Sequence, residues 1–279
     1  MDLEVDCDWL KSSHVSEYCA FDGKSTTLYL ASDGLLYAHK LPLKSPPRTL
    51  PLVGERKPKG VAYSLSLLQE GKVLQVISNC DYGSRLQLER FDAADPAAGT
   101  KVFSERLKPD CTPAVSPDGS LMAIGTSTER KDFGRDYSLE IWSVVPSKRL
   151  AHYDKLGGDL TVMRFTPDGK VLATGGSDGT LALYDVGTGK LTRTLTENYT
   201  VSSVDFHPSR PYLAYTTYDR HGTPNLGIVD LPSGLEIGKS SVDVYGARQV
   251  CFSPDGKTVV TVGGEAQVRV WEFGSLIEK

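Results

Sequence analysis

Four stretches decide the reading: Val115-Ser-Pro-Asp-Gly119, Phe165-Thr-Pro-Asp-Gly169, Phe206-His-Pro-Ser-Arg210 and Phe252-Ser-Pro-Asp-Gly256. Their prolines, at 117, 167, 208 and 254, are 50, 41 and 46 residues apart. Self-similarity at such a period marks a chain built from repeated supersecondary units. Two weaker copies precede them: Phe21-Asp-Gly23 lies 96 residues before Asp118-Gly119, and Gln69-Glu-Gly71 sits between. Each anchor leads into a short apolar run, such as Val171-Leu-Ala173 or Val259-Val-Thr-Val262. A polar turn and an alternating strand follow, as in Thr180-Leu-Ala-Leu-Tyr184 and Gln267-Val-Arg-Val-Trp271. Pro-Asp-Gly supplies the fixed φ and the left-handed position of a tight turn, and alternation gives a strand one inward and one outward face. Unrelated hairpins in a sandwich have no reason to repeat one turn and one strand order six times.

These residues resemble the WD40 repeat family, which ends the third strand of each repeat in Trp-Asp or a relative. The matching positions read Trp142-Ser143, Tyr184-Asp185, Val229-Asp230 and Trp271-Glu272. The family's turn aspartate maps onto Asp136, Asp178 and Asp219, with Asp33 and Asp81 as earlier counterparts. The last repeat has Gly264-Glu-Ala266 there instead, and the family's Gly-His dipeptide is missing throughout. The histidine-dependent form of the family's internal hydrogen-bond network is therefore not expected.

The resemblance implies an all-β β-propeller occupying residues 1–279 as a single domain. First strands are expected near 15–21, 60–67, 111–115, 160–165, 201–206 and 247–252, which gives six four-stranded blades. The sixth repeat reaches Lys279 without a fourth strand, while Leu3-Glu-Val-Asp-Cys-Asp-Trp9 alternates. The family implies that such an N-terminal strand closes the last blade, and closure also removes two exposed sheet edges. Seven blades, or an open six-bladed ring completed by a partner, are the alternatives.

Composition agrees with a globular β protein. The chain has 279 residues, 39% of them hydrophobic and 24% charged, so a large core is within reach. Its 27 glycines and 16 prolines suit many strands and turns better than long helices. With 35 acidic and 31 basic residues the net charge is -4, which argues against a general polyanion binder, and direct nucleic-acid contact is not expected. Basic clusters such as Arg56-Lys-Pro-Lys59 and Arg130-Lys131 read as solvated loops. Asp2, Glu4, Asp6 and Asp8 give the start no signal-peptide character, and no apolar run is long enough for a transmembrane segment. A cytoplasmic location is expected, with the nucleus as the alternative. The Asn198-Tyr-Thr200 sequon would matter only in a secreted chain.

Catalytic and metal-binding patterns are missing. The histidines, at 14, 39, 152, 207 and 221, form no ligand pair, and the five cysteines, at 7, 19, 80, 111 and 251, include no Cys-x-x-Cys. Cys19, Cys111 and Cys251 fall on or beside first strands and read as small buried side chains, and His207 as a turn residue. Gly187-Thr-Gly-Lys190 lacks the upstream glycine and the following Ser or Thr of a phosphate loop and lies in a hairpin. No nucleophile elbow occurs. Neither enzyme activity nor a cofactor is expected.

The expected role is a protein-protein interaction scaffold using loops on one face. One alternative is a regulatory or substrate-recruiting domain of a larger protein or complex, and another an enzyme with a site in the central channel. The longest of these loops is read as Ser127–Asp136, which offers Arg130, Phe133 and Arg135. Repeat five adds Tyr218, Arg220 and His221, and blade-joining loops add Tyr199 and Tyr245. Tyrosine and arginine bury apolar area while keeping hydrogen bonds, and so dominate many interfaces. The expected partner is a protein or peptide.

Overall fold

The computed structural model describes residues 18–21, 27–32, 35–40, 48–51, 62–68, 72–80, 85–92, 100–218, 225–242, 247–263 and 268–277. Leu3–Trp9, and with it the expected closing strand, lies outside the described residues. Two compact units are distinguished, residues 1–108 with 144–148, and residues 109–143 with 149–279.

The first unit holds two four-stranded sheets, each with consecutive strands side by side. One comprises β1 (Tyr18–Phe21), β2 (Thr27–Ser32), β3 (Leu35–Lys40) and β4 (Arg48–Pro51). The other comprises β5 (Ala62–Leu68), β6 (Val73–Cys80), β7 (Arg85–Asp92) and β8 (Thr100–Glu105). Leu74, Val76, Leu86 and Leu88 are fully buried in it, beside one unusual neighbour, Glu89. This carboxyl is 1% exposed and its Oε1 has no hydrogen-bond partner. Burial pushes it up to about 7, against the opposing pull of Lys101.

The second unit repeats the pattern. Its sheets are β9 (Ala114–Val115) to β12 (Lys148–Leu156), β13 (Leu160–Phe165) to β16 (Lys190–Thr196), β17 (Thr200–Phe206) to β20 (Leu235–Ser241), and a three-stranded β21 (Ala247–Phe252), β22 (Thr258–Gly263) and β23 (Val268–Glu272). Helix α1 (Phe273–Ile277) follows where the sequence offers no fourth strand. Thus each first-strand position expected from the sequence is met by a strand, with small shifts at the ends.

The middle strand β15 (Thr180–Asp185) is buried on both faces, which explains why its Leu181-Ala-Leu-Tyr184 is apolar throughout. Ala182 and Tyr184 pack back against Leu139 and Ile141 of the preceding sheet, while Leu181 and Leu183 pack forward with Val201, Val204 and Phe206. A third cluster joins Ala214, Leu226 and Ile228 to Val250, Phe252 and the helix residues Phe273 and Leu276.

The repeated proline turns are closed by their own side chains. The hydroxyls of Ser116, Thr166 and Ser253 accept from the amides of Leu121, Val171 and Thr258 at 2.9, 3.0 and 3.0 Å. They donate to Asp118, Asp168 and Asp255 at 2.6, 2.7 and 2.6 Å. These bonds hold the Asp168 and Asp255 carboxyls below the usual range, the hydroxyl contributing most. In the Phe206 copy, His207 replaces the hydroxyl. Its Nδ1 accepts from the amides of Ser209 and Arg210 at 3.1 and 3.0 Å, and its ring packs on Phe252 and Phe273. It is a turn residue, as its position in the repeat suggests.

Candidate functional site

The end of the second unit opposite the proline turns is formed by the connections between second and third strands. In the third sheet this connection is shorter than the sequence suggests. Strands β10 (Leu121–Glu129) and β11 (Arg135–Ser143) pair from Leu121↔Ser143 out to Glu129↔Arg135, so the turn is only residues 130–134. The ten-residue loop expected from Ser127 to Asp136 is instead a long hairpin arm. Thr126 and Ser138 on it share a hydroxyl hydrogen bond of 2.8 Å. Polar sequence favoured the loop reading, whereas cross-strand pairing continues because threonine and serine satisfy each other across the ladder. Asp136 accordingly lies in β11 opposite Thr128 and is not a turn aspartate.

The tip is held by its own charges. Arg130 reaches Asp132 at 3.1 Å and Asp136 at 3.4 Å, and its amide donates to Gly134 O at 2.9 Å. Its guanidinium lies over Gly134, where a Cβ would meet it at 2.3 Å. Arg135 sits 3.9 Å from Glu129. These exposed pairs add little stability in water, but they fix the tip's shape. Phe133 stands out of it with φ 63°, and its side chain is wholly exposed, at 102%. An aromatic residue in the left-handed region costs on the order of 1 kcal/mol, and this one recovers none of that cost by burial.

The other candidates scatter. Tyr199 is half-buried just before β17, and Tyr218 is half-buried at the end of β18 (Tyr212–Tyr218), opposite Thr200. Arg220, His221 and Tyr245 lie outside the described residues. The structure thus joins Arg130, Phe133 and Arg135 in one hairpin and leaves Tyr199 and Tyr218 on another sheet. It also adds Arg248, exposed on β21, whose guanidinium lies 5.9 Å from the Tyr218 ring centre. Sequence reading passes over Arg248 because it falls inside a first strand and not in a loop.

First strands carry a second polar network. Arg164 on β13 pairs with Asp205 on β17 at 2.9 Å, and Asp205 accepts from the Phe252 amide on β21 at 2.7 Å. Burial raises the Asp205 carboxyl, and Arg164 opposes the shift. The cysteines beside this wall differ. Cys111 is half-buried, and burial drives its thiol up to about 12. Cys251 is exposed, contrary to the expectation of a small buried side chain, because it shares the outward face of β21 with Gln249. Among the described residues no group of three His, Cys, Asp or Glu side chains could hold a metal ion.

Third-strand tryptophans also find partners without a Gly-His histidine. Trp271 Nε1 donates to Thr261 at 3.0 Å, and Trp142 Nε1 donates to Glu140 at 2.8 Å. Glu140 also accepts from Arg149 at 2.8 Å. No helix among the described residues is long and apolar enough to cross a membrane.

Comparison with known proteins bears on the fold. Residues 114–209 match the model of the anaphase-promoting complex subunit 4 WD40 domain, and residues 240–272 match the WD domain, G-beta repeat. The small ribosomal subunit protein RACK1y of Oryza sativa subsp. japonica is 28% identical over 144 residues, covering 49% of this chain and 41% of that protein. Its counterpart RACK1 in Schizosaccharomyces pombe is 27% identical over 135 residues, covering 45% and 41%. The chain thus aligns with about two fifths of the length of each of these relatives. A chain in the crystal structure of the mitotic checkpoint complex superposes with a TM-score of 0.68 at 14% identity, over 92% of this chain and 75% of that one. The fold is a β-propeller.

Proposed function

We propose that this chain, a member of the WD40-repeat family, is a non-catalytic protein-interaction scaffold that receives its partner on the second-to-third strand end. The observation that carries the proposal is Phe133, a bare aromatic ring on a hairpin tip with nothing of its own to pack against. Exposed apolar rings gain most when a partner covers them, and aromatic residues anchor interfaces by filling pockets. Arg135, Tyr218 and Tyr199 supply further contacts, with Arg130 holding the tip. Arg220, His221 and Tyr245 belong to the same proposal by their place in the repeat.

The names of similar proteins support a place within a larger assembly: a ribosomal subunit protein, a subunit of the anaphase-promoting complex and a chain of the checkpoint complex. Neither a cofactor nor direct nucleic-acid contact is part of the proposal, and the cytoplasm is its setting, with the nucleus as the alternative. The test is quantitative co-purification from cells, comparing wild type with a triple Phe133→Ala, Arg135→Ala, Tyr218→Ala variant. The proposal expects at least a tenfold loss of the specific partner, in line with losing more than 1.4 kcal/mol at an anchor. Equal recovery by a folded triple variant would overturn it.

A further inference from the structure

Three first strands of the second unit carry an extra residue at one place. Register slips between Leu160 and Val162 in β13, between Val201 and Ser203 in β17, and between Ala247 and Gln249 in β21. The residues set out by these bulges are Thr161, Ser202 and Arg248. A bulge re-aims its side chain relative to the pleat.

In the first two sheets that side chain serves the fold. The Thr161 hydroxyl bonds to Val201 O, and the Ser202 hydroxyl lies 2.6 Å from Ala247 O. Each therefore ties its sheet to the first strand of the next. Arg248 breaks the pattern. It is exposed, turns back over the Tyr218 ring, and makes no ion pair among the described residues. First strand β5 slips in the same way between Ala62 and Ser64 and sets out Tyr63, so the position is not reserved for a small hydroxyl; Arg248 makes no such tie between sheets, and its charge faces solvent.

Resting on the scaffold reading above, we propose that Arg248, seated on Tyr218, recognises an acidic side chain in an extended segment of the protein partner. A guanidinium stacked on a ring keeps its in-plane donors available, and their fork matches one carboxylate. A nucleic acid would instead require several cations along its phosphates. The equivalent bulge positions before Arg248 are Tyr63, Thr161 and Ser202, none of them charged, and the chain carries a net charge of -4. Both facts favour a single carboxylate over a polyanion.

The experiment uses fluorescence anisotropy of the full chain with two labelled, capped hexapeptides, one of glutamate and one of glutamine. Wild type should prefer the glutamate peptide. Arg248→Ala should weaken that peptide about tenfold, the effect of losing one charge-assisted hydrogen-bonded pair, and should abolish the preference. Arg248→Lys should fall between, since it keeps charge but loses the fork, and it controls for any misfolding of the alanine variant. The inference is overturned if Arg248→Ala keeps the preference or if wild type shows none. It also falls if labelled oligothymidine binds wild type more tightly than the glutamate peptide and depends on Arg248. Should Arg248→Ala change nothing while the Phe133 triple variant still loses its cellular partner, the scaffold reading stands and the assignment of Arg248 falls alone.

Discussion

Two turns occupy the same place in consecutive repeats of the second unit and use the same left-handed backbone for opposite ends. In the fourth sheet, Gly179 has φ 81°, and a Cβ there would lie 2.1 Å from Glu197 O. The turn is enclosed: Asp178 accepts from the Thr180 amide at 3.0 Å, and the Glu197 amide donates to Gly179 O at 2.8 Å. In the third sheet the left-handed residue is Phe133, with φ 63° and its ring in solvent. Glycine stands where the fold leaves no room, and phenylalanine stands where it leaves nothing but room. Strain at Gly179 is avoided for packing, whereas strain at Phe133 is accepted without any return inside the chain.

The sharpest way to break this contrast is Gly179→Ala. It adds both a disfavoured φ and a clash with backbone, so unfolding free energy should fall by about 3 kcal/mol, read as a shifted urea midpoint at constant m-value. A loss under about 1 kcal/mol would mean that the fourth-sheet turn is no more committed to the fold than the third. The reverse substitution in kind, Phe133→Gly, should raise stability by about 1 kcal/mol by relieving the left-handed phenylalanine, while reducing partner recovery. If it lowers stability instead, the ring is serving the fold after all, and the contrast dissolves.

Between these in size lies a comparison of two equivalent third-strand carboxylates. Glu140, 8% exposed at its side chain, is met by Arg149 and Trp142. Glu89, at the same place in its own sheet, has one oxygen unmatched and a carboxyl raised from 4.5 to about 7. The folded state then binds more protons than the unfolded chain between about pH 4.5 and 7. Glu89 thus subtracts stability as pH rises through that window. Glu89→Gln should stabilise the protein by about 2 kcal/mol at pH 8, of the order set by the shift, and by much less at pH 5. Thermal midpoints at the two pH values would reveal it, and an equal change at both would show that the carboxyl is solvated. Asp168 and Asp255 work in the other sense: their lowered values contribute stability above the ordinary carboxylate range that fades as pH falls through their folded values.

The sheets were legible in the sequence because turn chemistry recurs at a period. Thr166-Pro-Asp-Gly169 announces both the end of one strand and the hydrogen bonds that close the turn. What local reading missed depends on partners far away in sequence. Ser127 to Glu129 look like loop until Arg135 to Tyr137 pair with them. Cys251 looks like core until the face of β21 is known. Arg248 stayed hidden because a bulge is a mismatch between two strands and leaves no mark in either alone. Phe133 was visible at once, since an aromatic residue inside a charged run contradicts its surroundings on any reading.

The order of the core clusters has one more consequence. Among the described residues, each of the second unit's three clusters draws on two successive sheets, the last with helix α1 added, and the fourth and fifth sheets each belong to two of them. Energy is therefore stored in a row of seams and not in a common centre, and a lesion at one seam weakens its two neighbours while sparing those beyond. Opening then proceeds like a row of clasps released in sequence, and amide hydrogens on β18, shielded by a seam on each side, would be among the last to meet water.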